Sequence, residues 1–449
     1  MAICKMLRTS LLLTLTLAPF QFVDAKSYYV STSGNNSQSG SRNQPLKTIS
    51  RALSKISAGD TIIILDGEYN ESLVIKQSGT PENYISIIAE SPGQVTINAG
   101  NSGKPALVIR EQSYIKVDGL KFTNSSDTST VALSSRDGQS RNYLPTNNII
   151  LSNLSIQGSC INSNCSAFGI ARASDISLSN ISVYGYGRYT FLIYGSSNVV
   201  ADKVVLRFDG WDGEKYKKND PRFALGIYNS VDNKLTNLVI MDGRGRPKNT
   251  RGDLGGIKIA GGNNGKTAPW ISSDQNVIDG FIITDTHGAA VNIESRQEPH
   301  KGNTIKNGFI VNNDGGIILN KQVKDTTFDS LYIINNKHIS IANFSHRAVG
   351  TRIVNSKVDS NIGNKGITGK GKIELVDTIH SRDNSASAKK SAFYSNMLTS
   401  LNNWPNSDAI KRDMCNQTLL SIVKRLKNEI PKFCESDKQF ADYLISRIP

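Results

Sequence analysis

NVIDGFIITDTHGAAVNIESRQEPHKGNTIKNGFIVNNDGGIILNKQVKDTTFDSLYIINNKHISIANFS, residues 276–345, contains one unit written three times. A short β-branched run (NVIDGFII, NTIKNGFI, TTFDSLYI) is followed by a polar turn and a second short run (AAVNIES, GGIILNK, ISIANFS). Alternating apolar positions ended by Asn, Asp or Gly mark strands with tight turns. The second run recurs upstream as FGIARAS at Phe168, FLIYGSS at Phe191, LGIYNSV at Leu225 and GGIKIAG at Gly255. Aligning the runs predicts one inward ladder, Ile170, Ile193, Ile227, Ile257, Val291, Ile317, Ile341 and Ile367, with steps of 23 to 34 residues by subtraction. No single unit of that length buries its own apolar face, whereas stacked units make a continuous core. A β-propeller needs about 40 or more residues per blade, longer than the shorter steps here. The expected fold is all-β, a right-handed parallel β-helix.

The flanks complete this reading. Residues 1–25 have the form of a secretory signal: Lys5 and Arg8, an apolar Leu11–Phe20, then Val23-Asp24-Ala25. The apolar run is too short to span a bilayer, so no stable membrane insertion is expected once the signal is removed. The product would be secreted or periplasmic. Cys4 would leave with the signal, and the other four cysteines suggest two disulfides, Cys160–Cys165 and Cys415–Cys434. Leu46, Ile49, Leu53 and Ile56 follow a helical period within Pro45–Ser57, as a cap over the first coil would. The β-helix is expected over 26–380. A linker begins at Ser381, and a small helical tail follows, with Ile410, Met414, Ile422, Val423, Leu426 and Ile430 at helical spacing.

A formal charge of +14 favours acidic partners. Nucleic acid is not expected, because no basic helix or aromatic-basic recognition motif occurs. An acidic polysaccharide or oligosaccharide is. No Cys/His spacing resembles a zinc site.

Side chains alternate across a strand, so the residue after each ladder position points outward. This predicts one outer row containing Tyr194, Tyr228, Lys258 and Asn292, with Glu294 two residues on. Insertions at 210–222, 243–254, 261–274 and 295–301 bracket that row, and long loops in a compact repeat are usually functional. Tyr194, Tyr228 and Trp211 would offer aromatic faces to a sugar chain. Arg188, Arg207, Arg244, Arg246, Arg251 and Arg296 would pair with carboxylates. Lys258, beside arginines that lower its pKa, is a candidate general base. Abstraction of a proton alpha to a uronate carboxylate also needs a cation near that carboxylate, and Arg296 or Arg251 could supply it. His287 is a candidate acid or base, or a hydrogen-bonded turn residue. Asp242, Asp285 and Asn313 share a turn position, which favours stacked turn residues. Asp209, Asp212, Asp242 and Asp253 leave glycoside hydrolysis open. A binding protein or adhesin without catalysis is the third possibility.

Gly59-Asp60-Thr61, Asp66-Gly67-Glu68-Tyr69, Gly79-Thr80-Pro81 and Tyr114–Phe122 (YIKVDGLKF) resemble the opening of secreted β-helix proteins of the pectin-lyase-like superfamily. Polysaccharide lyases of the alginate lyase and chondroitinase B type are among them. The resemblance implies a lysine base, an arginine helper and, in some members, a calcium ion held by Asn and Glu. Lys258, Arg296, Asn292 and Glu294 have those types, with Asp253 as a further metal candidate. Gly256-Ile257-Lys258 precedes Thr286-His287-Gly288, the reverse of the order in polygalacturonase-type hydrolases.

Overall fold

A computed structural model describes residues 25–100, 102–126, 128–135, 145–159, 165–186, 188–207, 222–241, 255–262, 272–284, 286–311, 313–334, 336–359 and 366–381. Parallel strands run from Ser27–Val30 to Ile379–Ser381 in one 18-stranded and one 11-stranded sheet. The expected signal and helical tail lie outside the described residues.

Each central coil contributes one strand to the smaller sheet, then a turn, then one long strand to the larger sheet. The long strand bends at a single left-handed residue. Asn153, Asn180, Lys203, Asn237, Gly280, Asn307, Ser330 and Asn355 occupy that corner on successive coils, with φ between 51° and 74°. Asparagine tolerates this conformation better than most residues. Its side chain also ties adjacent coils: Asn180 Nδ2 donates to Asn153 Oδ1 at 2.9 Å, and Asn307 Nδ2 to Asp279 Oδ1 at 2.7 Å. The first apolar run of each repeat (NVIDGFII, NTIKNGFI, TTFDSLYI) is thus two strand limbs joined at a corner.

Inward aliphatic side chains stack from coil to coil. Ile170 pairs with Ile193 and Ile193 with Ile227, as expected. The next step differs: Ile227 pairs with Ile259, and Leu225 with Ile257. The ladder continues through Ile293 and Leu319. A two-residue shift keeps every side chain on its own face, because the strand period is two. It changes only which residues are neighbours. These ladder residues are fully buried, each stabilising the stack by roughly 1.5–3 kcal/mol.

Buried polar ladders seal the corner after the smaller sheet. The backbone amide of Ser196 donates to Ser230 Oγ, and that of Ser230 to Ser273 Oγ. Asn233, Asn276 and Asn303 stack beside them, Oδ1 of each accepting from the coil before. Ser196 and Ser230 are buried turn residues. The helix is one turn, Ile49–Leu53, with Thr48 Oγ1 accepting from the Arg51 amide at its start. It buries Ile49 and Ala52 in the same apolar cluster as Val30 and Ile62. It is shorter than the periodicity predicted, since only these residues adopt helical hydrogen bonding.

Candidate functional site

The strands Tyr189–Tyr194, Phe223–Tyr228, Gly255–Gly261, Ala289–Lys301 and Gly315–Lys324 lie side by side in the smaller sheet. On their outer face Lys258 pairs in register with Gly226 on one side and Asn292 on the other. Ala260 pairs with Tyr228 and Glu294, and Glu294 with Asn320. Lys258 therefore stands opposite a glycine, where the sequence alignment put Tyr228.

Lys258 is only 8% exposed. Its Nζ donates to Asn292 Oδ1 at 2.8 Å and to Glu294 Oε2 at 2.7 Å, and lies 5.6 Å from the centre of the Phe223 ring. Phe223 and Tyr189 are buried but outside the contiguous core. Glycines make room for both rings. A Cβ on Gly255 would meet the Phe223 ring at 2.2 Å, and one on Gly226 the Tyr189 ring at 2.9 Å. The Tyr189 and Tyr228 hydroxyls are 2.6 Å apart. Burial, and then Tyr189, push the Tyr228 phenol well above its usual range.

Glu294 is clamped from two coils. Its Oε1 accepts from Lys321 Nζ at 2.7 Å while its Oε2 accepts from Lys258. Burial opposes ionisation of Glu294, but the two lysine hydrogen bonds outweigh it and bring its carboxyl down to about 2. Lys321 reaches Glu294 from a backbone with φ of 63°, at its pairing with Ser295. Behind Glu294 the strand carries extra residues: Ser295 and His300 pair with Lys321 and Val323. The buried imidazole of His300 closes this bulge, its Nδ1 accepting from the Ser273 amide. Burial depresses His300 to about 4, so it is neutral.

Lys258, Asn292 and Glu294 are thus brought into direct contact, while Tyr194 and Tyr228 pair in register on the neighbouring coils. His287 sits before the strand, its Nδ1 2.5 Å from Asp314 Oδ2. Asn313 stacks between Thr286 and Asn336, as a turn residue does. Arg207 is fully buried with its guanidinium 5.0 Å from the Tyr184 ring centre. It ends a strand of the larger sheet and is not itself in the outer row of the smaller one. Arg188 directly precedes the strand Tyr189–Tyr194, its amide donating to the Cys165 carbonyl. Cys165 is disulfide-bonded; its expected partner Cys160 lies outside the described residues, as do Cys415 and Cys434. Trp211, Arg244, Arg246, Arg251, Asp209, Asp212, Asp242, Asp253 and the Arg296 side chain also lie outside them.

Asn292 and Glu294 as they stand do not fit a calcium site. Their oxygens accept from the Lys258 and Lys321 ammonium groups, and a divalent cation would have to displace both. Among the described residues no three His, Cys, Asp or Glu side chains converge on one point.

Sequence reasoning missed Lys321, Phe223, Tyr189 and His300. Only the repeat spacing could have flagged them, and the insertions obscure that spacing at 210–222 and 295–301.

Residues 28–348 match the family described as Pel9A-like, right handed beta helix region. The chain is 31% identical over 110 residues to Uncharacterized protein YwoF of Bacillus subtilis (strain 168), a match spanning 23% of each protein. Among solved structures, the crystal structure of pectate lyase Pel9A is similar with a TM-score of 0.50 and 13% identity, over 86% of each chain. A GH136 lacto-N-biosidase from Eubacterium ramulus is similar with a TM-score of 0.46 and 13% identity, over 79% of this chain and 68% of that one. At 13% identity the likeness to pectate lyase Pel9A describes the fold alone.

Proposed function

The chain belongs to the Pel9A-like right-handed β-helix family, and from that premise we propose that it is an exported carbohydrate-active enzyme. It cleaves an acidic, uronate-containing polysaccharide by β-elimination on the outer face around Lys258. The observation that carries this reading is the near-complete burial of Lys258 on an outward strand position, hydrogen-bonded to Asn292 and Glu294. An ionisable group so placed on an outer face is a mark of a functional site. The fold shared with pectate lyase Pel9A and the net charge of +14 support the substrate class. Cys165 in a disulfide and the signal-like residues 1–25 support export.

β-Elimination breaks the C–H bond alpha to the uronate carboxylate and the C–O bond to the next sugar. A C=C bond forms, and a proton goes to the leaving oxygen. Lys258 removes the alpha proton. It does so as the free amine, and the salt bridge to Glu294 favours its ammonium form. Activity therefore rises with pH. Lys321, half exposed beside Glu294, neutralises the substrate carboxylate, with the arginines of the flanking insertions.

The test is incubation of the protein with a panel of acidic polysaccharides, with and without added calcium. Ultraviolet absorbance follows unsaturated uronates, and a parallel assay follows reducing ends. Absorbance that rises for the native chain and not for Lys258→Ala is the expected result. Reducing ends without absorbance would sink β-elimination and point to an aspartate pair. Products formed equally by Lys258→Ala would remove Lys258 from the chemistry.

A further inference from the structure

Two arginines stand side by side at the entry to the smaller sheet, one and two coils before Lys258. Arg222 directly precedes Phe223 and Arg188 directly precedes Tyr189, and Tyr189 and Phe223 pair in register. The Arg222 amide donates to the Arg188 carbonyl at 2.9 Å. Arg222 is exposed, and among the described residues its guanidinium has no salt-bridge partner. Burial, and then Tyr189, raise the Tyr228 phenol, while the Arg188 and Arg222 charges act in the opposite sense. Both guanidinium groups therefore lie near the Tyr189–Tyr228 hydroxyl pair on the outer face. The two rings meet edge to face with centroids 5.5 Å apart. Two phenols carry two O–H groups, and their mutual bond at 2.6 Å uses one. The other is left to donate. Tyr194 pairs in register with Tyr228 and extends the aromatic face.

This cluster adjoins Lys258. The Tyr189 ring lies against Gly226, and Gly226 is the in-register partner of Lys258. Adjacent coils are about 4.8 Å apart, close to the length of one pyranose unit in an extended chain. A polymer lying along the stack with one unit at Lys258 presents its neighbouring units to Tyr228, Arg222 and Arg188. Guanidinium groups pair with a carboxylate in two-point fashion. The phenol pair adds a donor, and the tyrosine rings offer apolar faces to the sugar. We propose that Arg222 and Arg188, with the Tyr189 and Tyr228 hydroxyls, form a second acidic-sugar subsite. It makes the chain specific for polymers with carboxylates on successive units, homopolymeric uronans rather than chains alternating acidic and neutral sugars. The subsite extends the reading of Lys258 as the point of cleavage and rests on it. A neutral unit at this place gives the two guanidinium groups no anion to pair with, and that difference is the discrimination.

The experiment measures binding by calorimetry in the full chain carrying Lys258→Arg, which keeps the cation and removes the base. The ligands are hexamers of galacturonate, mannuronate and guluronate, and the methyl ester of whichever binds most tightly. Arg222→Gln is then added to the same chain. A loss of affinity of about 10-fold or more for the acidic hexamer, and none for its ester, is the expected result. Equal losses for acid and ester, no loss for the acid, or no binding of any hexamer before Arg222 is changed would each overturn the proposal. Ultraviolet absorbance with the native chain separates the subsite from the cleavage chemistry. Unsaturated products together with unchanged binding by Arg222→Gln would remove the subsite and keep Lys258 as base. Selective loss of acid binding without unsaturated products would keep the subsite and remove β-elimination.

Discussion

The Nε2–H of His300 donates to the backbone carbonyl of Glu294 at 2.9 Å, and its Nδ1 accepts the Ser273 amide at 3.0 Å. One buried imidazole thereby joins the polar ladder of the turns to the backbone of Glu294, whose carboxylate holds Lys258. Both contacts need the neutral tautomer protonated on Nε2.

Stability should fall in acid because of this imidazole. His300 titrates near 4 when folded against 6.5 for a free side chain. Its contribution is complete above about pH 6.5 and is lost as pH falls through 4, roughly 3 kcal/mol at most. Melting temperature measured from pH 7.5 to 4 should drop less steeply for His300→Gln, which cannot titrate. Parallel curves for the two proteins would show that His300 is not the sensor.

Glu294→Gln should move the alkaline rise of activity to lower pH. The glutamine keeps the shape of Glu294 but removes the anion that stabilises the Lys258 ammonium, so Lys258 loses its proton more readily. A pH–rate profile of both proteins decides the point. An unshifted profile would mean that Lys258 is not the titrating group.

Lys258→Arg separates two roles. Arginine keeps the cation and stays protonated throughout the working range. As a base, Lys258 is not replaceable by it, and kcat should fall about 10²-fold or more with KM little changed. Retention of kcat would assign Lys258 to carboxylate binding alone.

Asn276→Ala should destabilise the solenoid by about 3 kcal/mol or more, because it strands several buried partners at once. Asn276 accepts from the Asn233 amide and side chain, and donates to the Ser230 carbonyl and to Asn303. Chemical denaturation of the variant reads the loss directly. A change below about 1 kcal/mol would show that water replaces the asparagine.

The repeat made the fold legible, since inward ladder positions such as Ile170, Ile193 and Ile227 recur with a strand's period. The outward assignment of Lys258, Asn292 and Glu294 followed from alternation alone. Their contact partners did not. Nothing in NKQ (320–322) signals that Lys321 turns through a positive φ to reach Glu294. Nothing in QEPHK (297–301) signals that His300 returns to the turn ladder. Both depend on irregularities that no period describes.

Sequence by itself determined the stacked-coil architecture and the side of the sheet on which each residue lies, because alternation is a local property of an extended chain. Tertiary structure alone decided the register between coils: Ile227 lies against Ile259 rather than Ile257, and Lys258 against Gly226 rather than Tyr228. A shift of two residues leaves every inward side chain inward, so the hydrophobic pattern is equally satisfied before and after it. What separates the two registers is the fit of particular side chains between coils, such as the Tyr189 ring over Gly226 and the Phe223 ring over Gly255. Such contacts exist only once the coils are stacked.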